Sequence, residues 1–113
     1  MERLRQRADF VAAARGQRTT GPAFVVQKRR RDDDGPARIG FTVTKKVGSA
    51  PQRNRIRRRL REVARQTAMD LLISHDDLVI VARRAALSRD FESLREDLRV
   101  ALRRLAPANA SHA

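Results

Sequence analysis

The chain reads as an α+β protein: a two-layer α/β sandwich in which about three helices pack on one face of a small mixed sheet. Three observations predict it. Arg38 to Thr44 alternates cleanly, with Ile39, Phe41 and Val43 on one side and Arg38, Gly40, Thr42 and Thr44 on the other. Beyond Pro51, Ile56, Leu60, Val63, Ala64 and Thr67 recur at helical spacing within one arc. Near the end, Phe91, Leu94, Leu98, Ala101, Leu102 and Leu105 mark a second helical stripe. A one-sided sheet and one-sided helices must each cover an apolar face, and packing them together is the economical solution.

The remaining elements follow in order. Arg7 to Arg15 reads as a short helix with Phe10, Val11, Ala13 and Ala14 as apolar members and Gly16 as its stop. Gly21-Pro22 breaks the chain, and Ala23 to Lys28 has strand character. Arg30 to Pro36 is a polar turn, so the strands on either side of it are expected to pair as an antiparallel hairpin. Lys45 to Ala50 is a loop. Pro51 suits the first turn of the long helix, where a missing N–H costs nothing, with Ser49 or Ala50 as N-cap. That helix is expected to run to Leu72 or Ile73. Leu78 to Ala82 is continuously apolar, as in a strand buried on both faces. Ser88 is placed to cap the last helix, and Pro107 to end it. Phe24, Phe41 and Phe91 are expected in the core. No repeat or internal linker interrupts the 113 residues, which read as one domain over 1–106 and a disordered tail over 107–113.

Charge is the functional signal. The chain carries 26 Lys and Arg against 13 Asp and Glu, a formal net charge of +13. Self-repulsion on that scale weakens a compact state and is relieved by a polyanion. The excess is local: residues 45 to 65 hold nine basic residues and a single acid, Glu62. Most of these arginines fall outside the apolar arc of the long helix. An outward guanidinium surface suits phosphate, which the planar fork grips bidentately while never losing its charge.

Several functions are excluded or disfavoured. With no cysteine there is neither a disulfide nor a thiolate metal site, and a reducing compartment is tolerated. No apolar run approaches the roughly 20 residues of a membrane span, and no signal-peptide core follows the charged N-terminus, so a cytoplasmic location is expected. The histidines are His75, at the end of the long helix, and His112, in the tail. No Ser-His-Asp set, metal-ligand spacing or glycine-rich phosphate loop can be assembled from this chain. Asp32-Asp33-Asp34 precedes Gly35-Pro36 and reads as a solvated turn. A stand-alone nuclease is therefore disfavoured, and so is a DNA-reading helix, which needs base-edge readers among its arginines. A membrane-surface helix lacks the Trp or Phe it would bury. A basic RNA-binding or ribosome-associated protein with no part in cleavage remains open.

The run Ile39-Gly40-Phe41-Thr42-Val43-Thr44-Lys45-Lys46-Val47-Gly48, followed by Arg53-Asn54-Arg55-Ile56-Arg57-Arg58 and Leu60-Arg61-Glu62, resembles the signature of the bacterial ribonuclease P protein component. Asp9-Phe10, Phe24-Val25-Val26 and Asp77 to Arg83 are also family-like, and the likeness extends over roughly residues 3 to 105. It implies a sandwich related to a ribosomal-protein domain with a left-handed β-α-β crossover. It also implies two partners, a large catalytic RNA and precursor tRNA, with endonucleolytic removal of the 5′ leader carried out by the RNA with Mg²⁺. No small-molecule cofactor and no protein catalytic residue is implied. Lys45, Lys46, Arg53, Asn54, Arg55, Arg57, Arg58, Arg61 and Arg65 would face the catalytic RNA. Phe10, Gln27, Thr42 and Thr44 would line a cleft for the single-stranded leader, although Phe10, Thr42 and Thr44 read equally as core or plain strand residues. Ala14 and Gln27 stand where family members often carry aromatic residues, so leader contacts here would lean on arginine and backbone electrostatics.

Overall fold

A computed structural model describes residues 2–31, 35–71 and 76–105. The elements are β1 (Glu2–Arg3), α1 (Arg7–Ala14), β2 (Gln17–Thr20), β3 (Phe24–Arg29), β4 (Arg38–Thr42), a 3₁₀ turn at Lys45–Val47, α2 (Ala50–Leu71), β5 (Asp77–Ala82), a 3₁₀ turn at Arg84–Leu87 and α3 (Phe91–Leu105). The turn at Asp32-Asp33-Asp34, the far end of the long helix, His75, Pro107 and the tail with His112 lie outside the described residues. Among the described residues no helix is long and apolar enough to cross a membrane.

The sheet is mixed, in the order β1-β4-β5-β3-β2. β5 pairs antiparallel with β3 and parallel with β4, and α2 is the crossover joining β4 to β5. The expected hairpin of β3 with β4 is therefore wrong, because β5 lies between them. The reason is in the composition of β5. Leu78, Ile80 and Ala82 face one side and Val79 and Val81 the other, and such a strand hides both faces only at the centre of a sheet. β1 and β2 also escaped the sequence reading, being respectively two residues long and a polar, largely exposed edge.

The main core lies between the sheet and α2 with α3. Ile56 and Leu60 are fully buried there, Val63, Ala64 and Thr67 nearly so, and Leu94, Leu98 and Leu102 face them from α3. Phe24 is buried, while Phe41 and Phe91 pack on the margin of this cluster. A smaller cluster, Leu4, Ala13 and Val79 with Phe10 and Val81, occupies the other side. Consecutive β5 residues divide between the two clusters, so α1 covers the face opposite to α2 and α3. The helices therefore do not all share one face, as expected from the stripes alone; α1 closes the second face of the sandwich.

Helix ends follow local chemistry. Ser49, not Ala50, caps α2. Gln52 N donates to Ser49 Oγ at 3.3 Å, and Ser49 N donates to Gln52 Oε1 at 2.9 Å, a reciprocal capping box. Gly48 beside it has φ 153°, and a Cβ there would stand 2.4 Å from Gln52 Oε1. For α3 the cap is Asp90, whose Oδ2 accepts from Ser93 N at 3.0 Å. Ser88 instead closes the preceding 3₁₀ turn.

Candidate nucleic-acid interface

The seam that buries Ile56, Leu60, Val63, Ala64 and Thr67 turns the opposite side of α2 to water. Asn54, Arg55, Arg58, Arg61 and Arg65 are exposed, and Arg53 and Arg57 are half-buried. Ala50, Pro51, Asn54, Arg57, Arg58 and Arg61 line an open groove of about 640 Å³. Asn54 Oδ1 accepts from Arg57 Nη1 at 3.0 Å, which aims that guanidinium along the groove. Lys45 and Lys46 are exposed on the 3₁₀ turn that leads into α2. The capping box fixes one end of this turn, and Arg84 Nη1 donates to Val47 O at 3.1 Å near it.

Arg53 N donates to Ser49 O at 2.8 Å, so Arg53, Asn54 and Arg55 lie inside the helical ladder and offer side chains rather than unpaired N–H groups. Arg65, counted with the phosphate-gripping residues, is held by Glu62. Its Nε donates to Glu62 Oε2 at 3.0 Å and its Nη2 to Oε1. Hydrogen bonds from Arg65 and then Gln66 push the Glu62 carboxyl down to about 2.

One arginine of the basic run has a different task. Arg59 Nη1 donates to the carbonyls of Ala86 at 3.2 Å and Leu87 at 2.6 Å, and its Nη2 donates to that of Arg89. It ties α2 to the 3₁₀ turn before α3. Arg59 was not among the residues expected to face the RNA, but nothing in the sequence pointed to its partners.

A second charged constellation, also unread in the sequence, lies on the α1 face. Asp77, fully buried at the start of β5, accepts two hydrogen bonds of 2.8 Å from Arg38 and one of 2.7 Å from Arg31. Asp9 of α1 stands 3.3 Å from Arg29 and 3.4 Å from Arg38. Burial alone would raise the Asp77 carboxyl, but the hydrogen bonds from Arg38 and Arg31 outweigh it, and the group lies below the ordinary carboxylate range. Lys28 and Asp76 form another buried pair, 3.3 Å apart. The adjacency of Asp76-Asp77 to an all-apolar strand was the available signal, because acids forced into an interior require cations.

The proposed leader residues also divide. Phe10 lies over Gly40, where a Cβ would come within 2.6 Å of its ring, and packs on the Leu4, Ala13 and Val79 cluster. Its core contact is therefore real, yet the ring stays half-exposed. Register puts Thr42, Val81, Val25 and Thr20 in one row across the sheet, and Gly40, Val79, Gln27 and Arg18 in the next. Phe10, Gln27 and Thr42 thus share the α1 face. Thr44 lies beyond the end of β4, exposed, at the entry to the Lys45–Val47 turn.

Residues 1–106 match the family described as Ribonuclease P. The ribonuclease P protein component of Gluconacetobacter diazotrophicus is 48% identical over 103 residues, spanning 90% of this chain and 89% of that one. Among solved structures, the RNase P protein of Thermotoga maritima superposes with a TM-score of 0.72 at 32% identity, covering 87% of this chain and 92% of the other. That of Staphylococcus aureus gives 0.75 at 27% identity over 91% and 94%. An outward guanidinium helix on this mixed-sheet scaffold, matched along nearly its whole length, places the chain in the Ribonuclease P family, as the protein component of a ribonucleoprotein endoribonuclease.

Proposed function

We propose that this chain seats the catalytic RNA of ribonuclease P on the outer side of α2 and guides the 5′ leader of precursor tRNA along the α1 face of the sheet. The observation that carries this reading is the two-sidedness of α2. Its aliphatic seam is essentially water-free, while Asn54, Arg55, Arg58 and Arg61 on the far side are exposed. Phosphates packed against that side are neutralised without any rearrangement of the fold. Lys45 and Lys46 extend the cationic surface towards Thr44 and Thr42. A strand leaving the RNA's active centre would pass these residues before reaching Phe10 and Gln27, the single aromatic and the amide available to a base.

The chain's task in leader removal is then positional. It lowers phosphate repulsion, orients the leader and leaves hydrolysis to the RNA. The reading also places the required Mg²⁺ on that RNA. The complex is proposed to work in the cytoplasm, where its tRNA precursors are made.

Reconstitution tests the proposal. Purified chain added to a bacterial ribonuclease P RNA is expected to raise the rate of leader removal at low Mg²⁺, and the chain alone is expected to cut nothing. Metal-dependent cleavage by the chain without RNA would overturn it. In the same assay Phe10→Ala is expected to weaken binding of leader-bearing tRNA more than mature tRNA, a stacked base being worth about 1–3 kcal/mol. Equal losses for both would leave Phe10 a packing residue only.

A further inference from the structure

The Lys45–Val47 turn carries two of the proposed RNA contacts and is weak on its own. It spans three residues and is closed by two backbone bonds, Val47 N to Thr44 O at 3.1 Å and Gly48 N to Lys45 O at 3.3 Å. Gly48 follows it at φ 153°, in a region that glycine alone enters readily, so the chain leaves the turn through the residue type with the most backbone freedom. Lys45 and Lys46 are exposed, and Val47 is the buried member of the turn. A guanidinium from elsewhere in the chain reaches the closing peptide. Arg84 Nη1 donates to Val47 O at 3.1 Å across a separation of 37 residues. Val47 O and Gly48 N belong to one peptide plane, so a donor on that carbonyl also holds the N–H that closes the turn on Lys45.

The backbone of Arg84 is fixed independently of that turn. It opens the 3₁₀ turn Arg84–Leu87 just after β5. Arg83 N donates to Ala23 O at 2.9 Å, Ala86 N donates to Arg83 O at 3.0 Å, and Ala86 is fully buried. From this geometry we infer that Arg84 is a positioning residue for RNA binding. By holding the Val47–Gly48 peptide it fixes the turn, so that Lys45 and Lys46 meet the phosphates of the catalytic RNA in one arrangement. The inference rests on the proposed RNA surface and deepens it. Two lysines on a loose turn would have to be ordered as the RNA docks, and that ordering weakens binding; a turn held beforehand avoids the loss. A direct phosphate contact is the competing role for an exposed arginine. The bond to Val47 O favours positioning, because it commits one end of the guanidinium to the chain's own backbone before any RNA arrives.

A double-mutant cycle on affinity for a bacterial ribonuclease P RNA separates the two roles. Arg84→Met is expected to bind that RNA about threefold more weakly than the parent, and Lys45→Ala/Lys46→Ala about tenfold. The triple variant should bind as the lysine pair does, with the same slope of log affinity against log salt, because without the lysines nothing is left for Arg84 to position. In the free chain, Arg84→Met should speed exchange of the Gly48 amide several-fold, while the melting temperature stays close to the parent's. Arg84→Lys, which keeps a donor for the carbonyl, should recover both the affinity and the protection. A triple variant weaker than the lysine pair, with a salt slope flatter by about 0.7–0.9, would make Arg84 a phosphate contact and overturn the inference. So would parent-like affinity, or unchanged Gly48 exchange, in Arg84→Met. Full affinity in Lys45→Ala/Lys46→Ala would instead sink the proposed RNA surface itself.

Discussion

The arginines of α2 and those around Asp77 are chemically identical and do opposite things. On α2, Arg55, Arg58 and Arg61 point into water, held there by the buried Ile56, Leu60 and Val63 on the other side of the helix. Around Asp77, Arg31 and Arg38 turn inward and spend their hydrogen bonds on a fully buried carboxylate. What separates the two sets is the local supply of acid. The basic run over residues 45 to 65 has a single carboxylate, Glu62, whereas Asp9 and Asp77 reach the α1 face from two different elements. Net charge alone does not identify a binding surface; cations left without a carboxylate do.

The comparison breaks most visibly at Asp77. Asp77→Ala removes the buried carboxylate that accepts from both Arg31 and Arg38, and removing one partner of a buried pair costs about 3–5 kcal/mol. Arg38 keeps part of its surface in water, so the low end is expected, a fall in melting temperature on the order of 15 °C. RNA affinity of the folded fraction should be unchanged. The same carboxylate gives a pH signature. Its folded pKa is lowered, so its contribution is complete above the ordinary carboxylate value of about 3.9 and is lost as pH falls through that value and below. Thermal melts from neutral pH downward should show an acid-side decline that Asp77→Ala flattens. An Asp77→Ala protein as stable as the parent would erase the distinction between the two sets.

Arg59 sharpens the contrast within α2 itself. Arg59→Met keeps the aliphatic stem and removes the donors to the Ala86, Leu87 and Arg89 carbonyls. With charged hydrogen bonds worth about 1.5–3 kcal/mol and this site only half-buried, a loss of about 2 kcal/mol is expected. Affinity for RNA at a temperature where the variant is folded should barely move. A large affinity loss without destabilisation would place Arg59 in the binding set.

How much of this was legible follows from the range of the interactions concerned. The seam of α2 and the stripe of α3 were readable because their partners recur three and four residues apart, and both proved to be the core-facing sides. The pairing of β3 with β4 was misread because turn residues report only on neighbours in sequence, whereas the position of β5 is decided by its need for cover on both faces. Arg59, Arg31 and Arg38 were illegible for a related reason. Their partners lie 27, 46 and 39 residues away, and no periodicity links them. The exposure of Arg55, Arg58 and Arg61 could be read because helical spacing alone places them off the apolar arc. The pairing of Arg65 with Glu62, three residues back, was visible in the sequence but was given no weight.

The exposed set makes a smaller but cleaner prediction. Arg55→Ala/Arg58→Ala removes two of the proposed phosphate contacts, each worth up to about 1 kcal/mol, so affinity for the catalytic RNA should fall about tenfold. The melting temperature should stay within error of the parent, since neither side chain touches the Ile56-Leu60-Val63 seam. Raising salt should shrink the difference, because the lost contacts are the salt-sensitive ones. A variant that unfolds would mean these guanidiniums brace the fold, as Arg38 does.

The smallest effect tests whether pairing alone separates the two sets. Arg65 lies on the outer surface of α2 yet is engaged by Glu62, an exposed analogue of the pair at Asp77. Glu62→Gln keeps the side-chain length and removes the charge that holds the guanidinium. If a free cation is what makes an interface residue, this substitution recruits Arg65, and RNA affinity should rise by about two- to threefold at low salt. The double variant Glu62→Gln/Arg65→Ala should lose that gain. Because hydrogen bonds from Arg65 and Gln66 push the Glu62 carboxyl down to about 2, the group stays ionised in mildly acidic buffer, and the mutation is the direct route to the neutral state. An unchanged affinity in Glu62→Gln would mean that Arg65 lies outside the footprint, and that position along the helix, not pairing, sets where the RNA ends.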